Sequence, residues 1–171
     1  MILEKDNIRL RALEPEDLDF LFQIENSVEF WEISSTQTPF SKYILSTYIA
    51  NAHQDIYEAK QLRLIVEYKN SSIGMIDLFD FNPQHKRAGI GILILEKYQN
   101  KKFAKISLDL FISYCFNTLH LHQLYANITP ENKASIKLFI NSNFKQVGIK
   151  KDWIYTNSGY KDEILFQLVR N

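Results

Sequence analysis

The run Ile92-Leu93-Ile94-Leu95-Glu96-Lys97-Tyr98-Gln99-Asn100-Lys101-Lys102-Phe103-Ala104 carries the strongest chemical signal in the chain. An apolar, branched segment feeds a short polar loop, and the loop opens a helix. The first N–H groups of a helix have no intrahelical partner and lie at the positive end of its dipole, so they bind anions. Lys101, Lys102 and Lys105 add positive charge beside that end. The chemistry this suits is retention of a phosphate or diphosphate group. On composition alone, three lysines after a strand more often make a solvated turn, so context decides between the two readings. Two carboxylates, Asp77 and Asp80, stand three apart in a strand-like segment. A regular strand points them to opposite faces, so at most one reaches any one cleft without a bulge. Trp31 lies in a stretch rich in Ser, Thr and aromatics, where it can wall a cleft or simply pack beneath the loop. Cys115 falls on an apolar helix face, the place of a core thiol rather than a nucleophile. His53, His85, His120 and His122 have no cysteine or carboxylate spacing suited to zinc, so no structural metal is expected.

These residues need elements to position them. Ile8, Leu10 and Ala12 alternate with polar residues and predict an opening strand, and Glu14-Pro15-Glu16-Asp17 predicts a helix start. Residues 27–40 show neither helical nor strand periodicity and read as a functional loop. Ser41 is placed to cap a second helix that fades between residues 53 and 60. Residues 62–68 and 72–81 form a hairpin around Lys69-Asn70-Ser71, and 88–95 is a central strand buried on both faces. A long helix over 103–119, a strand over 123–128, a helix over 132–142 and a closing strand pair, 145–154 with 161–169, complete an α/β order.

The 171 residues suit one domain, 1–171, with no internal repeat or linker. Twenty basic residues balance twenty acidic ones, so no net field draws the chain to nucleic acid or to an anionic membrane. A single cysteine excludes an internal disulfide framework and fits a reducing compartment, with the cytoplasm as the simplest assignment. The first residues lack a signal-peptide pattern, and no apolar run is long enough to span a bilayer.

The loop from Gln99 to Ala104 resembles the pyrophosphate loop of the GNAT superfamily of N-acetyltransferases, which runs Gln or Arg, two residues, Gly, one residue, then Gly or Ala. Lys102 occupies the position of the central glycine, and Asn100 stands where many relatives carry glycine. If a positive φ is needed at 102, lysine is strained there. The segments 119–125 and 131–139, together with the opening 10–17, also resemble the superfamily. Residues 72–82 and 157–162 are most similar to spermidine and diamine N-acetyltransferases, with ribosomal-protein N-terminal acetyltransferases close behind. The resemblance implies a mixed central sheet splayed between two parallel strands, with helices on both faces. It implies acetyl-CoA as cosubstrate, held by Ile92, Leu93, Ile94, Gln99, Asn100, Lys101, Lys102, Phe103, Ala104, Lys105, Asn132, Ser135 and Phe139.

The same resemblance implies transfer to a primary amine of a small molecule, with polyamines among the candidates, or to a protein N-terminus. The amine must lose a proton, and donors must meet the developing oxyanion. Gly89 stands where many relatives carry a glutamate that serves the amine, and Phe139 replaces a tyrosine that cannot be replaced as a proton donor by phenylalanine. Asp80 is left as the leading carboxylate for holding the amine or relaying its proton through water, with Asp77 and Glu32 as alternates, and Trp31, Glu32 and Asp77 are expected around the substrate. Asn143, replacing a glycine before Phe144, tolerates a left-handed conformation. A homodimer is implied by the resemblance alone. The departures at Lys102, Gly89 and Phe139 leave open a second reading, a CoA-binding protein of this fold with little catalysis, while an interaction module without CoA fits the residues least.

Overall fold

A computed structural model of the chain describes residues 3–28, 30–31 and 36–170. Period-two alternation over the opening residues resolves into β1 (Glu4–Lys5) and β2 (Ile8–Arg11), with Ile8 and Leu10 buried. A 3-10 turn, Pro15–Asp17, leads into α1 (Leu18–Glu25), and Glu14 and Asp17 close a reciprocal capping box at its start. Arg11 binds both Asp17 oxygens at 2.7 and 2.9 Å and reaches Glu67 at 2.6 Å, tying this helix start to the sheet. Val28, Phe30 and Trp31 are helical, which corrects the reading of residues 27–40 as wholly irregular. Aromatic-rich sequence without a clear period hides a short helix from periodicity arguments.

Ser41 caps α2 (Lys42–Ala50) as its residue type predicts, its hydroxyl accepting the Ile44 N–H at 3.2 Å. The polar stretch that follows holds one further turn, α3 (Ile56–Ala59). The hairpin of β3 (Leu62–Tyr68) and β4 (Ser71–Asn82) turns at Lys69 and Asn70, both at positive φ, the backbone of a turn whose twist matches its strands. After it come β5 (Arg87–Ile94), α4 (Phe103–Asn117), β6 (Gln123–Ile128), α5 (Lys133–Asn141), β7 (Lys145–Thr156) and β8 (Gly159–Val169). Asn143 takes φ 67° just beyond α5, the left-handed conformation expected there.

The strands make one eight-stranded sheet in the order β1-β2-β3-β4-β5-β6-β8-β7. Only β5 and β6 run parallel, because α4 connects them; the other neighbours are antiparallel. Leu108, Phe111 and Cys115 of α4 and Phe139 of α5 pack on one face, in a core with Ile76, Ile90, Leu124 and Phe166. Leu21 and Ile24 of α1 and Leu45 and Ile49 of α2 cover Ile65 and Met75 on the other face. Helices therefore flank both faces of a mixed sheet. No helix of the described residues is long and apolar enough to cross a membrane.

Candidate active site

The β5–β6 ladder is short. It pairs Arg87 with Gln123, Ala88 with Leu124 and Gly89 with Tyr125, and stops. Beyond it the strands part, and a cavity of about 100 Å³ opens in the gap, lined by Ile92, Asn132, Ser135 and Phe139 among others. Leu95 donates its N–H to Ile73 on the β4 side at 2.9 Å. Strand alternation therefore turns the backbone groups of Ile92 and Ile94 toward the gap and those of Leu93 toward β4. Asn132 forms the N-cap of α5, its side-chain oxygen accepting the Ser135 N–H at 3.1 Å, so it shapes the wall as well as lining it. Phe139 is buried and meets Phe144 edge to face, with ring centroids 4.9 Å apart. A wider groove of about 880 Å³ lies between α4 and the β7–β8 pair; Asn143 lines it, and none of the residues expected to hold cosubstrate or acceptor does.

The loop before α4 delivers backbone N–H groups to the end of this gap. Lys102 is the helix N-cap at φ 65° and ψ 1°, with no side-chain cap, and the first helical bond runs from the Ile106 N–H to the Lys102 carbonyl. The N–H groups of Phe103, Ala104 and Lys105 precede that bond and have no intrahelical acceptor. Asn100 also has positive φ, 59°. Gln99 folds back to give its amide to the Ile94 carbonyl at 3.0 Å, fastening the loop to the strand. The three lysines differ in their engagement. Lys105 pairs with Asp109 one turn on, and Lys101 reaches the Lys97 carbonyl at 3.0 Å. Lys102 alone stands at the cap itself.

On the sheet face covered by α1 and α2, Arg63 binds Asp77 twice, at 2.7 and 2.9 Å, and also Glu25. Burial works against the Arg63 charge, but Asp77 outweighs it and holds the guanidinium firmly protonated. The Tyr48 ring lies 5.7 Å from that guanidinium. Asp77, expected from the sequence as a substrate contact, is thus matched by a cation of the chain itself. Asp80 is different. A bulge between Phe79 and Asn82 places it at φ 49°, and Tyr125 donates its hydroxyl to Asp80 Oδ2 at 2.9 Å. The bulge overcomes the parity argument that separates Asp77 from Asp80. Phe79 lies over Gly89, where an added Cβ would come within 2.2 Å of its ring. Trp31 gives its indole N–H to the Glu25 carbonyl at 2.8 Å, which anchors it to the end of α1. Glu32 lies outside the described residues.

The acetyltransferase (GNAT) domain family matches residues 7–145. The chain belongs to the GNAT acetyltransferase family. Among GNAT relatives, spermidine N(1)-acetyltransferase of Escherichia coli (strain K12) is 27% identical over 161 residues, 92% of this chain and 83% of its own. The [ribosomal protein uS5]-alanine N-acetyltransferase of the same strain is 32% identical over 79 residues, 46% of this chain and 41% of its own. The crystal structure of spermidine N-acetyltransferase from Vibrio cholerae in complex with CoA and spermine superposes with a TM-score of 0.85 at 25% identity, covering 96% of each chain.

GNAT acetyltransferases use acetyl-CoA, and this chain is an acetyl-CoA-dependent N-acetyltransferase. The residues present fit that cosubstrate: a gap between parallel strands into which the Ile92 backbone groups and the Ile94 N–H turn, ending at a helix N-terminus without a side-chain cap. Three residues around the site escaped the sequence reading. Arg63 gives no local signal because its partners come from α1 and β4. Phe79 and Tyr125 read as ordinary strand aromatics; the bare Gly89 between them was the available clue.

Proposed function

We propose that residues 1–171 act as one acetyltransferase unit that moves an acetyl group from acetyl-CoA to a primary amine anchored at Asp80. The observation that carries this reading is the early stop of the β5–β6 ladder at Gly89 and Tyr125, which opens the gap beside Ile92 and Ile94. Acetyl-CoA supplies the thioester. Ile92 and Ile94 offer backbone groups along its arm, Asn132, Ser135 and Phe139 form the wall, and the N–H groups from Phe103 to Lys105, with Gln99, Asn100, Lys101 and Lys102, receive the diphosphate. Leu93 supports the strand from its β4 side. Asp80 holds the acceptor's ammonium by charge and can pass its proton to water; Trp31 and Asp77 border that acceptor.

The acceptor is a small-molecule amine or a protein N-terminus. Spermidine is supported by the relatives named for it and opposed by the lack of acidic residues from Ser34 to Pro39. The single cysteine, buried at Cys115, supports a cytoplasmic protein, and burial raises its thiol above the ordinary range, away from reactivity. The aromatic-rich β7–β8 pair, with Trp153, Tyr155 and Tyr160 exposed, supports a homodimer.

Titration calorimetry with acetyl-CoA tests the cosubstrate site. Micromolar binding that Lys102→Glu weakens about tenfold is expected, because reversing one charge beside a diphosphate costs on the order of 1.4 kcal/mol. No binding at millimolar ligand overturns the reading. Radiolabel transfer across spermidine, putrescine, glucosamine and an alanine-initiated peptide then identifies the acceptor class.

A further inference from the structure

Asp80 occupies the extra residue of the β4 bulge, where no partner across the ladder holds it. Its carboxylate is fixed from two strands away. Tyr125 is the last β6 residue of the parallel ladder, and its hydroxyl donates to Asp80 Oδ2 at 2.9 Å. Tyr125 is itself held. Phe79 meets its ring edge to face, with centroids 5.8 Å apart, and the Phe79 ring lies so close over Gly89 that only glycine leaves it room. Phe79, Gly89 and Tyr125 thus form a row across three neighbouring strands on one face of the sheet.

Burial raises the Tyr125 hydroxyl above the ordinary phenol range, and the bond to Asp80 raises it further, so it stays a donor. A phenol that keeps its proton can fix one carboxylate oxygen and never compete for the acceptor's proton. Among the described residues none bonds Asp80 Oδ1, and none forms an ion pair with this carboxylate. The geometry therefore leaves one oxygen for a cation at the point where β5 and β6 part.

We propose that Tyr125 is a positioning residue for the acceptor: its hydroxyl aims the Asp80 carboxylate so that an ammonium bound to Oδ1 rests at the mouth of the gap. The inference rests on the reading of Asp80 as the amine anchor. It also gives a reason for the local sequence. Phe79 needs Gly89, Tyr125 needs Phe79, and Asp80 needs the bulge.

Tyr125→Phe keeps the ring and removes the hydroxyl, so it tests the bond without emptying the space. With the best acceptor from the amine panel, we expect KM to rise about tenfold, the lower end of what the loss of one hydrogen bond to a charged group costs. The turnover number should fall much less, while acetyl-CoA affinity and Tm stay unchanged. Asp80→Asn should lose at least as much, and Tyr125→Phe combined with Asp80→Asn should be no worse than Asp80→Asn alone. An unchanged acceptor KM in Tyr125→Phe, with a loss in Asp80→Asn, overturns the role of Tyr125 and leaves the anchor standing. Additive losses in the double variant overturn the coupling. Unchanged kinetics in Asp80→Asn overturn the anchor, and no turnover of any amine by the unaltered protein overturns both.

Discussion

Lys102 holds φ 65° at the N-cap of α4, a conformation that costs a residue with a side chain about 1 kcal/mol relative to glycine. Lys102→Gly should raise Tm by about 2 °C in thermal unfolding, and weaken acetyl-CoA binding a few-fold because an ammonium beside the diphosphate is lost. A gain in both would show that the charge has no part in binding. Asp17 gives the pH counterpart. Burial acts to raise its carboxyl, but the bonds from Arg11 and the Glu14 N–H outweigh burial and hold it below the usual carboxylate range. A depressed folded value means that its contribution is present in full above about pH 4 and is lost as pH falls through the folded value. Asp17→Asn should cost about 2 kcal/mol at neutral pH and flatten the acid limb of a Tm-against-pH curve. The helix start at Asp17 is legible from Glu14-Pro15-Glu16-Asp17. Its partner Arg11 is not, since pairing depends on where β2 runs.

Elements were more readable than the contacts between them. Apolar alternation marks β2, and the branched run marks β5, because burial on one face or on two leaves a direct imprint on residue type. Asn70 and Asn143 announce left-handed backbone through residue chemistry that tolerates it. The β4 bulge leaves no such imprint, and it is what carries Asp80 to the Tyr125 side. Strand parity read from a linear pattern assumes an unbroken pleat, and one inserted residue inverts it. The site inherits this limit. Its proposed diphosphate loop is legible as a local segment, whereas Asp77 reads as a free acid only until Arg63 is placed beside it. At this scale Gly89→Ala is decisive. An added Cβ 2.2 Å from the Phe79 ring should destabilise the protein by about 1–3 kcal/mol, and Phe79→Leu should recover part of that loss in chemical denaturation.

Across the molecule, one sheet spans two helical layers, yet its halves meet in a narrow contact. Three residue pairs join the strands from β1 to β5 with β6, β8 and β7. An arm of acetyl-CoA in the gap would bond Ile92 and Ile94, whose backbone groups face it, and leave Leu93, which faces β4. Amide hydrogen exchange should therefore slow at Ile92 and Ile94 on adding acetyl-CoA and change little at Leu93; uniform slowing of all three would argue for global stiffening instead. The gap has a second consequence for the free protein. Past Gly89 and Tyr125 it carries two sheet edges in its interior, facing each other, where most folds keep such edges at the rim. A cosubstrate bound as proposed would act as a missing strand as well as a reagent, and without it the two facing edges would be open to a foreign extended peptide or to a strand of another copy.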